Sequence, residues 1–353
     1  MNDKLQAAAG QGLDGLSLCL ICHFVAMLSL QEGAVVVRPF RFVASVPRLD
    51  GAPERWREAV RRIEDLGFSA ISVSEHLTQA WEMEATIAMM AAAEATTRLR
   101  IQSLMLSNDY RHPAVLHKAL ATIDAFSGGR VEIGLGAGWM ISDYEASGIL
   151  FDSPGVRIDR LQESVTILKG LFSASPFSYK GRYYQISTLD GLPKPVQHPY
   201  PPFVLGGGGR HVLSLAAREA DIVSVHPNLR HGLCSPATAR DLSADQTARK
   251  LRWVHEAAAK SGRSIDDFEL QFSLFICDVT TPASRTRAYV SSHAAALQAD
   301  PALLADSPAV LSGSVEQCVE GLQERRERYG FSCFNLGGDV EATAPLVARL
   351  AGT

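Results

Sequence analysis

From position 41 onward, short apolar runs alternate with stretches whose apolar residues recur at helical spacing. Residues 41–46 form an apolar run ended by Pro47 and read as a strand. Trp56, Ala59, Val60 and Ile63 then recur at i, i+3, i+4 and i+7, the stripe of a helix, and Gly67 stands where such a helix stops. The same reading predicts a strand over 69–76, a helix over 82–96 and a strand over 99–106. Pro113 opens a helix carrying Leu116, Leu120 and Ile123, and Ser127, Gly128 and Gly129 turn the chain into a strand over 130–136. After a helix over 157–172 the pattern breaks. Residues 174–201 read as an insertion, with a hairpin-like KGRYYQI and a proline-rich PKPVQHPYPP. A fifth strand (202–205), a helix (211–218), a sixth strand (221–225), a long loop (226–242), a helix (243–260) and a seventh strand (268–279) follow. Ser314 and Gln317 have capping-box spacing and open the last long helix, with Val315, Cys318, Val319 and Leu322 on its apolar face. Residues 331–336 form the eighth strand.

Strands separated by helices imply a parallel sheet. Eight such units predict a closed (β/α)8 TIM barrel, with insertion segments after strands 4 and 6; an open doubly wound sheet is the alternative. In both, the C-terminal ends of the strands form the functional rim.

Composition adds limits. The chain has 353 residues, 46% of them hydrophobic and 20% charged, enough for one large core. A net charge of −4 gives no electrostatic case for nucleic acid or an anionic membrane, so neither is expected as a partner. The cysteines at 19, 22, 234, 277, 318 and 333 form no disulfide framework, which predicts a cytoplasmic location. The barrel domain is expected over 40–353, with 1–39 an extension outside it. The apolar run 16–30 is short for a membrane span and lacks the basic start and cleavage site of a signal peptide. Within it, Cys19, Cys22 and His23 match the C-x-x-C-H haem pattern. A haem would require export and a helical fold, so the match reads as accidental. The native start is expected further in, near Met27 or 35–37.

Several residues at the predicted rim could carry chemistry. His76 ends the second strand directly after Glu75. It can exchange a proton near neutral pH, flank a redox ring, or simply bond a backbone carbonyl. Gly206, Gly207, Gly208 and Gly209 lie between a strand and a helix, where backbone N–H groups and the helix start favour an anion; a flexible turn is the plain alternative. Gly134, Gly136 and Gly138 follow the fourth strand without forming a dinucleotide fingerprint. They predict a low rim against which a flat ring can lie, with Trp139 either beside that ring or shielding the core. No spaced His/Cys set predicts a metal, and no G-x-S-x-G elbow marks a hydrolase.

Three stretches then carry a resemblance: AVRRIEDLGFSAISVSEH (59–76), YRHPAVLHKALATIDAFSGGRVEIGLGAGW (110–139) and PYPPFVLGGGGRHVLSLAAREAD (199–221). In this order they resemble the bacterial luciferase-like superfamily, and within it the branch of coenzyme F420-dependent oxidoreductases, over about 40–350. The resemblance implies a barrel that binds F420 or FMN at its C-terminal rim. It implies that Glu75 and His76 form the second-strand pair, with His76 handling a proton beside the ring. It also implies a non-proline cis peptide in the third strand, which counting back from Pro113 places at Ser103–Leu104. Leu106, Ala137 and Ser142 match further cofactor-contacting positions, and Gly206, Gly207 and Gly208 match the phosphate seat. Sugar-phosphate dehydrogenases of the branch carry a glutamate where this chain has Trp139. The difference implies a more apolar pocket, lined by Trp81, Tyr110, Trp139 and Tyr144, for an apolar or aromatic small molecule. Hydride transfer with F420 is the leading expectation. An FMN-dependent monooxygenase served by a separate reductase is the alternative, and a flavin-binding barrel without catalysis is a third. Relatives suggest a homodimer.

Overall fold

The computed structural model describes residues 37–79, 83–229, 232–279 and 283–353. The expectations for Cys19, Cys22, His23 and the native start fall on residues 1–36, outside the described ones, as does Trp81. The chain divides into Met1–Val37 and Arg38–Thr353, and the second unit holds the fold described below.

Its strands in chain order are β1 (Arg41–Ser45), β2 (Ala70–Val73), β3 (Arg100–Ser103), β4 (Leu106–Ser107), β5 (Val131–Gly136), the hairpin strands β6 (Phe177–Lys180) and β7 (Gln185–Leu189), β8 (Phe203–Gly207), β9 (Ile222–Val225), β10 (Glu269–Ser273), β11 (Ile276–Val279), β12 (Val310–Gly313) and β13 (Cys333–Asn335). β3 and β4 are two parts of one stave, and both pair with β5. The staves then run β5–β8–β9–β10–β13–β1–β2–β3, all parallel, and the ring closes with eight. This is a (β/α)8 TIM barrel. β2 and β9 are buried at every position, as expected of strands covered by the barrel core on one face and helices on the other.

The helices follow local rules. Helix Pro53–Asp65 has proline in its first turn and buries Trp56, Val60 and Ile63, the predicted stripe. Helix Pro113–Ser127 ends on Gly128 in the left-handed conformation, φ 67°. The capping box of Ser314 and Gln317 forms at the start of Val315–Tyr329. Among the described residues, no helix is long and apolar enough to cross a membrane.

The predicted seventh strand is two strands. β10 completes the barrel, but its neighbours β9 and β13 offer no register beyond Val225 and Asn335. The chain therefore leaves, and β11 pairs with β12 in a separate two-stranded sheet. A continuous apolar run carries no mark of such a change of partner. The predicted loop 226–242 contains the short helix Pro236–Asp241, opened by a capping box of Ser235 and Thr238. The insertion after the fourth stave carries the antiparallel β6–β7 hairpin as expected.

The end of the barrel opposite the rim is filled by charge. Arg41 bonds Glu132 at 2.5 Å and Glu269 at 2.6 Å, and Arg100 reaches the same Glu132 oxygen at 2.5 Å. Gln102 donates to Glu132, and Gln271 from the far side of the barrel donates to Gln102, both at 2.8 Å. Burial alone would raise the Glu132 carboxyl, but the two guanidinium groups hold it below its ordinary range.

His117 lies on the barrel-facing side of helix Pro113–Ser127 against Phe172, ring centroids 4.7 Å apart. Its Nε2 finds no hydrogen-bond partner among the described residues. Burial, then the charges of Lys194 and Lys118, push it down to about 4. The unfolded chain therefore binds more protons here between about pH 6.5 and 4. The stability this neutral His contributes is complete above pH 6.5 and lost as pH falls towards 4, by up to ~3 kcal/mol. His117→Phe is expected to flatten that part of the acid denaturation profile, measured by urea titration at each pH.

Candidate active site

A cavity of about 550 Å³ opens at the C-terminal ends of the staves. Its walls come from the end of β2, the segment between β3 and β4, the end of β5, the glycine run after β8 and the residues after β9.

One wall is a bulge. The non-proline cis bond lies at Leu104–Met105, one residue later than counting back from Pro113 predicts. The reason is visible in the ladder: Leu104 N still donates to Val73 O at 2.8 Å, so stave pairing persists past Ser103. Ser103 is consequently sealed inside and does not line the cavity. Its hydroxyl accepts from Gly134 N at 2.8 Å and donates to Gly134 O at 2.9 Å. Leu104, Met105 and Leu106 face the cavity instead. Gly134 has a different task from the one expected of it. A Cβ there would lie 1.6 Å from Ser103 O, so glycine makes room for the bulge. Gly136 and Gly138 do line the cavity, with Ala137 between them.

Beside the bulge sits an acid–base pair. His76 lines the cavity, and its Nδ1 lies 2.8 Å from Asp143 Oδ2. Asp143 also accepts from Thr78 Oγ1 at 2.6 Å, Thr78 N at 2.8 Å, Leu77 N at 3.1 Å and the Tyr110 hydroxyl at 3.2 Å. Burial works to raise the Asp143 carboxyl, but the hydrogen bonds from Thr78, His76 and Leu77 outweigh it and lower it to about 2. An ionised carboxylate can only accept, so the Nδ1 of His76 carries the proton in this contact. Nε2 is then the nitrogen available for exchange with a ligand. Trp139 stands edge-on to the imidazole, 5.6 Å between centroids. Glu75 also borders the cavity, but its oxygens are engaged by Ser107 N at 2.8 Å and Arg111 at 2.5 Å. It ties the end of β2 to the segment that follows the bulge.

At the other end lies the glycine run. A Cβ on Gly206 would sit 1.8 Å from Ser224 O, and one on Gly208 would sit 2.3 Å from Asn228 N. Only glycines let these two rim loops meet. Gly206, Gly207 and Gly208 line the cavity, and helix Arg210–Glu219 starts behind them, which together suit a phosphate. Support comes from below: Asn228 N donates to Asp241 at 2.6 Å, and the buried Lys250 ammonium holds Asp241 at 2.5 Å. Lys250→Met is expected to destabilise the fold by ~1–3 kcal/mol and to weaken phosphate-bearing ligands, checked by denaturation and ligand titration. Near this seat His226 borders the cavity with Nε2 2.8 Å from Ser224 Oγ, and burial followed by the charge of Lys250 pushes it down to about 4.

Two expectations are corrected by packing. Ser142 is not part of the cavity lining; its hydroxyl lies 3.2 Å from that of Thr78. Tyr144 is buried against Phe151, its hydroxyl donating to Asp109 at 3.0 Å, so of the described aromatic candidates only Tyr110 and Trp139 line the cavity. Asp143, His226, Asp241 and Lys250 were not singled out from sequence, where nothing links them to their partners. No group of side chains suited to a metal occurs among the described residues.

Residues 35–333 match the family described as luciferase-like monooxygenase. Over 143 residues the chain is 32% identical to an FMNH2-dependent dimethylsulfone monooxygenase of Pseudomonas putida, covering 40% of this chain and 39% of that one. Over 212 residues it is 29% identical to an F420-dependent glucose-6-phosphate dehydrogenase of Amycolatopsis mediterranei, covering 58% and 60%. The chain thus spans less than two thirds of the length of either relative. An F420-dependent tetrahydromethanopterin reductase from Methanopyrus kandleri superimposes with a TM-score of 0.67 at 17% identity, over 89% of this chain and 98% of that one, a likeness of fold.

Proposed function

Because this chain belongs to the luciferase-like monooxygenase family, we propose that it transfers hydride between coenzyme F420 and a small apolar or aromatic organic molecule. The observation that carries this reading is the His76–Asp143 pair at the edge of the cavity. F420, when bound, supplies the hydride chemistry. What remains is one proton to place on, or take from, the substrate oxygen as its carbon gains or loses hydride. His76 Nε2 can do this, with Asp143 holding the ring in its tautomer and orientation.

The remaining walls fit the same role. The glycine seat accommodates the phosphate group common to F420 and FMN, and the bulge at Leu104–Leu106 offers a backing for a flat ring. Met105, Trp139, Met140, Leu229 and Phe275 make the rest of the cavity largely apolar, which suits a substrate without phosphate. The deciding experiment titrates the apo-protein with F420 and with FMN. Tight FMN binding with none for F420 overturns the proposal. Among substrates, a clear preference for sugar phosphates would count against an apolar one. The match to the dimethylsulfone monooxygenase supports a second reading, an FMN-dependent monooxygenase that uses oxygen and a partner reductase.

A further inference from the structure

The ring of staves runs β1, β2, β3–β4, β5, β8, β9, β10 and β13, so β2 and β9 stand half a turn apart. Each sends a histidine to the same cavity, His76 from beyond β2 and His226 from directly after β9. His226 points inward by register. Ser224 pairs with Gln271, whose side chain crosses the barrel interior to Gln102, and His226 follows Ser224 by two residues on the same face.

The two imidazoles are held in opposite ways. His76 donates its Nδ1–H to Asp143, which leaves Nε2 to exchange a proton. His226 has no carboxylate partner among the described residues; its Nε2 lies 2.8 Å from the hydroxyl of the fully buried Ser224. Among the described residues that hydroxyl has no other acceptor. A buried O–H seeks one, so it donates to Nε2, and the proton of the neutral ring sits on Nδ1. Burial and the charge of Lys250, which hold the group down at about 4, keep the ring neutral at physiological pH.

We propose that His226 is a specificity-determining residue, whose Nδ1–H donates to an uncharged acceptor oxygen of the substrate on the side away from the reacting carbon. The inference rests on the F420 reading above and narrows its substrate to an apolar molecule with a second, neutral oxygen. On that reading the seat after β8 and the bulge between β3 and β4 place the cofactor along the third to fifth staves. The substrate is left the space on the line between the two histidines. A carboxylate would gain no opposite charge from a neutral imidazole there.

The test compares 4-methoxycyclohexanone with 4-ethylcyclohexanone, reduced by the protein with reduced F420; the pair exchanges one distal oxygen for a CH2. The methoxy ketone is expected to show a kcat/KM roughly fivefold higher, the scale of one hydrogen bond between uncharged groups, and carried by KM. His226→Phe should abolish that preference. His226→Asn should restore it, because its amide N–H falls close to the position of Nδ1, whereas His226→Gln reaches only towards Nε2 and should not. A merely structural histidine would be rescued by both or by neither. Nitrogen-15 shifts of the labelled protein read the tautomer separately and are expected to show Nδ1–H. An Nε2–H ring, equal kcat/KM for the two ketones, or rescue by both or neither of the amides overturns the assignment and leaves the F420 reading standing. Reduction of neither ketone by protein that binds F420 does the same. Binding of FMN without F420 overturns both.

Discussion

Replacing His76 with alanine is expected to lower turnover by ~10²–10⁴-fold, the range typical of a lost general acid–base group, with little change in cofactor affinity. The imidazole reaches the cavity wall while its other nitrogen is tied to Asp143, so removing it deletes a proton carrier and leaves the glycine seat intact. Single-turnover spectroscopy of the bound cofactor separates the two effects, because binding and hydride transfer give distinct signals. Asp143→Asn tests the pairing from the other side. An amide presented to Nδ1 can stabilise the opposite tautomer, because its NH2 group donates where the carboxylate could only accept. A smaller loss of turnover than in His76→Ala is expected. Full turnover in His76→Ala would reduce the residue to a wall of the cavity.

Gly134→Ala is expected to cost ~3 kcal/mol of stability, the upper end for overpacking a core, and to abolish cofactor binding at the same time. The added methyl would sit 1.6 Å from a backbone oxygen, not from a side chain that can rotate away. Relief requires β3 and β5 to separate just where the bulge forms the cavity wall. Gly155→Ala is the control. It lies in helix Pro154–Phe172 with nothing within 4 Å of the added carbon, and is expected to leave the protein as stable or slightly more so. Denaturant midpoints for the two variants give the comparison directly.

The parts of this fold that follow from local rules were legible before the structure. Proline and glycine mark the ends of the helices around Trp56 and Leu120, and the stave positions follow from apolar runs between them. The glycine run and His76 were legible for the same reason: each sits at a strand end, and the rim of a barrel is where strand ends meet. What stayed hidden depends on closure. Asp143 is 67 residues from His76 along the chain, and Lys250 meets Asp241 because the short helix Pro236–Asp241 folds back on the start of the helix that follows it. The split of 268–279 into β10 and β11 depends on which neighbours run out of register first, which no single segment records. Ser103 was placed in the site by resemblance, as was Tyr144, which lies in the helix Ile141–Ser147 and turns its ring inward. Counting along a strand cannot tell which face a residue presents once a bulge has shifted the alternation by one.

That bulge also changes what holds the barrel closed beneath the site. Around it, β3 pairs with β5 at Gln102 and Glu132, and pairing resumes only at Leu106 and Leu135. In the gap, the Ser103 hydroxyl both donates to and accepts from the Gly134 backbone. The ring of staves therefore has one rung encoded by a side chain rather than guaranteed by the main chain. A single codon at Ser103 can loosen or tighten the wall behind the ligand without rerouting the backbone, and so acts as a tuning point for the site that lies outside it.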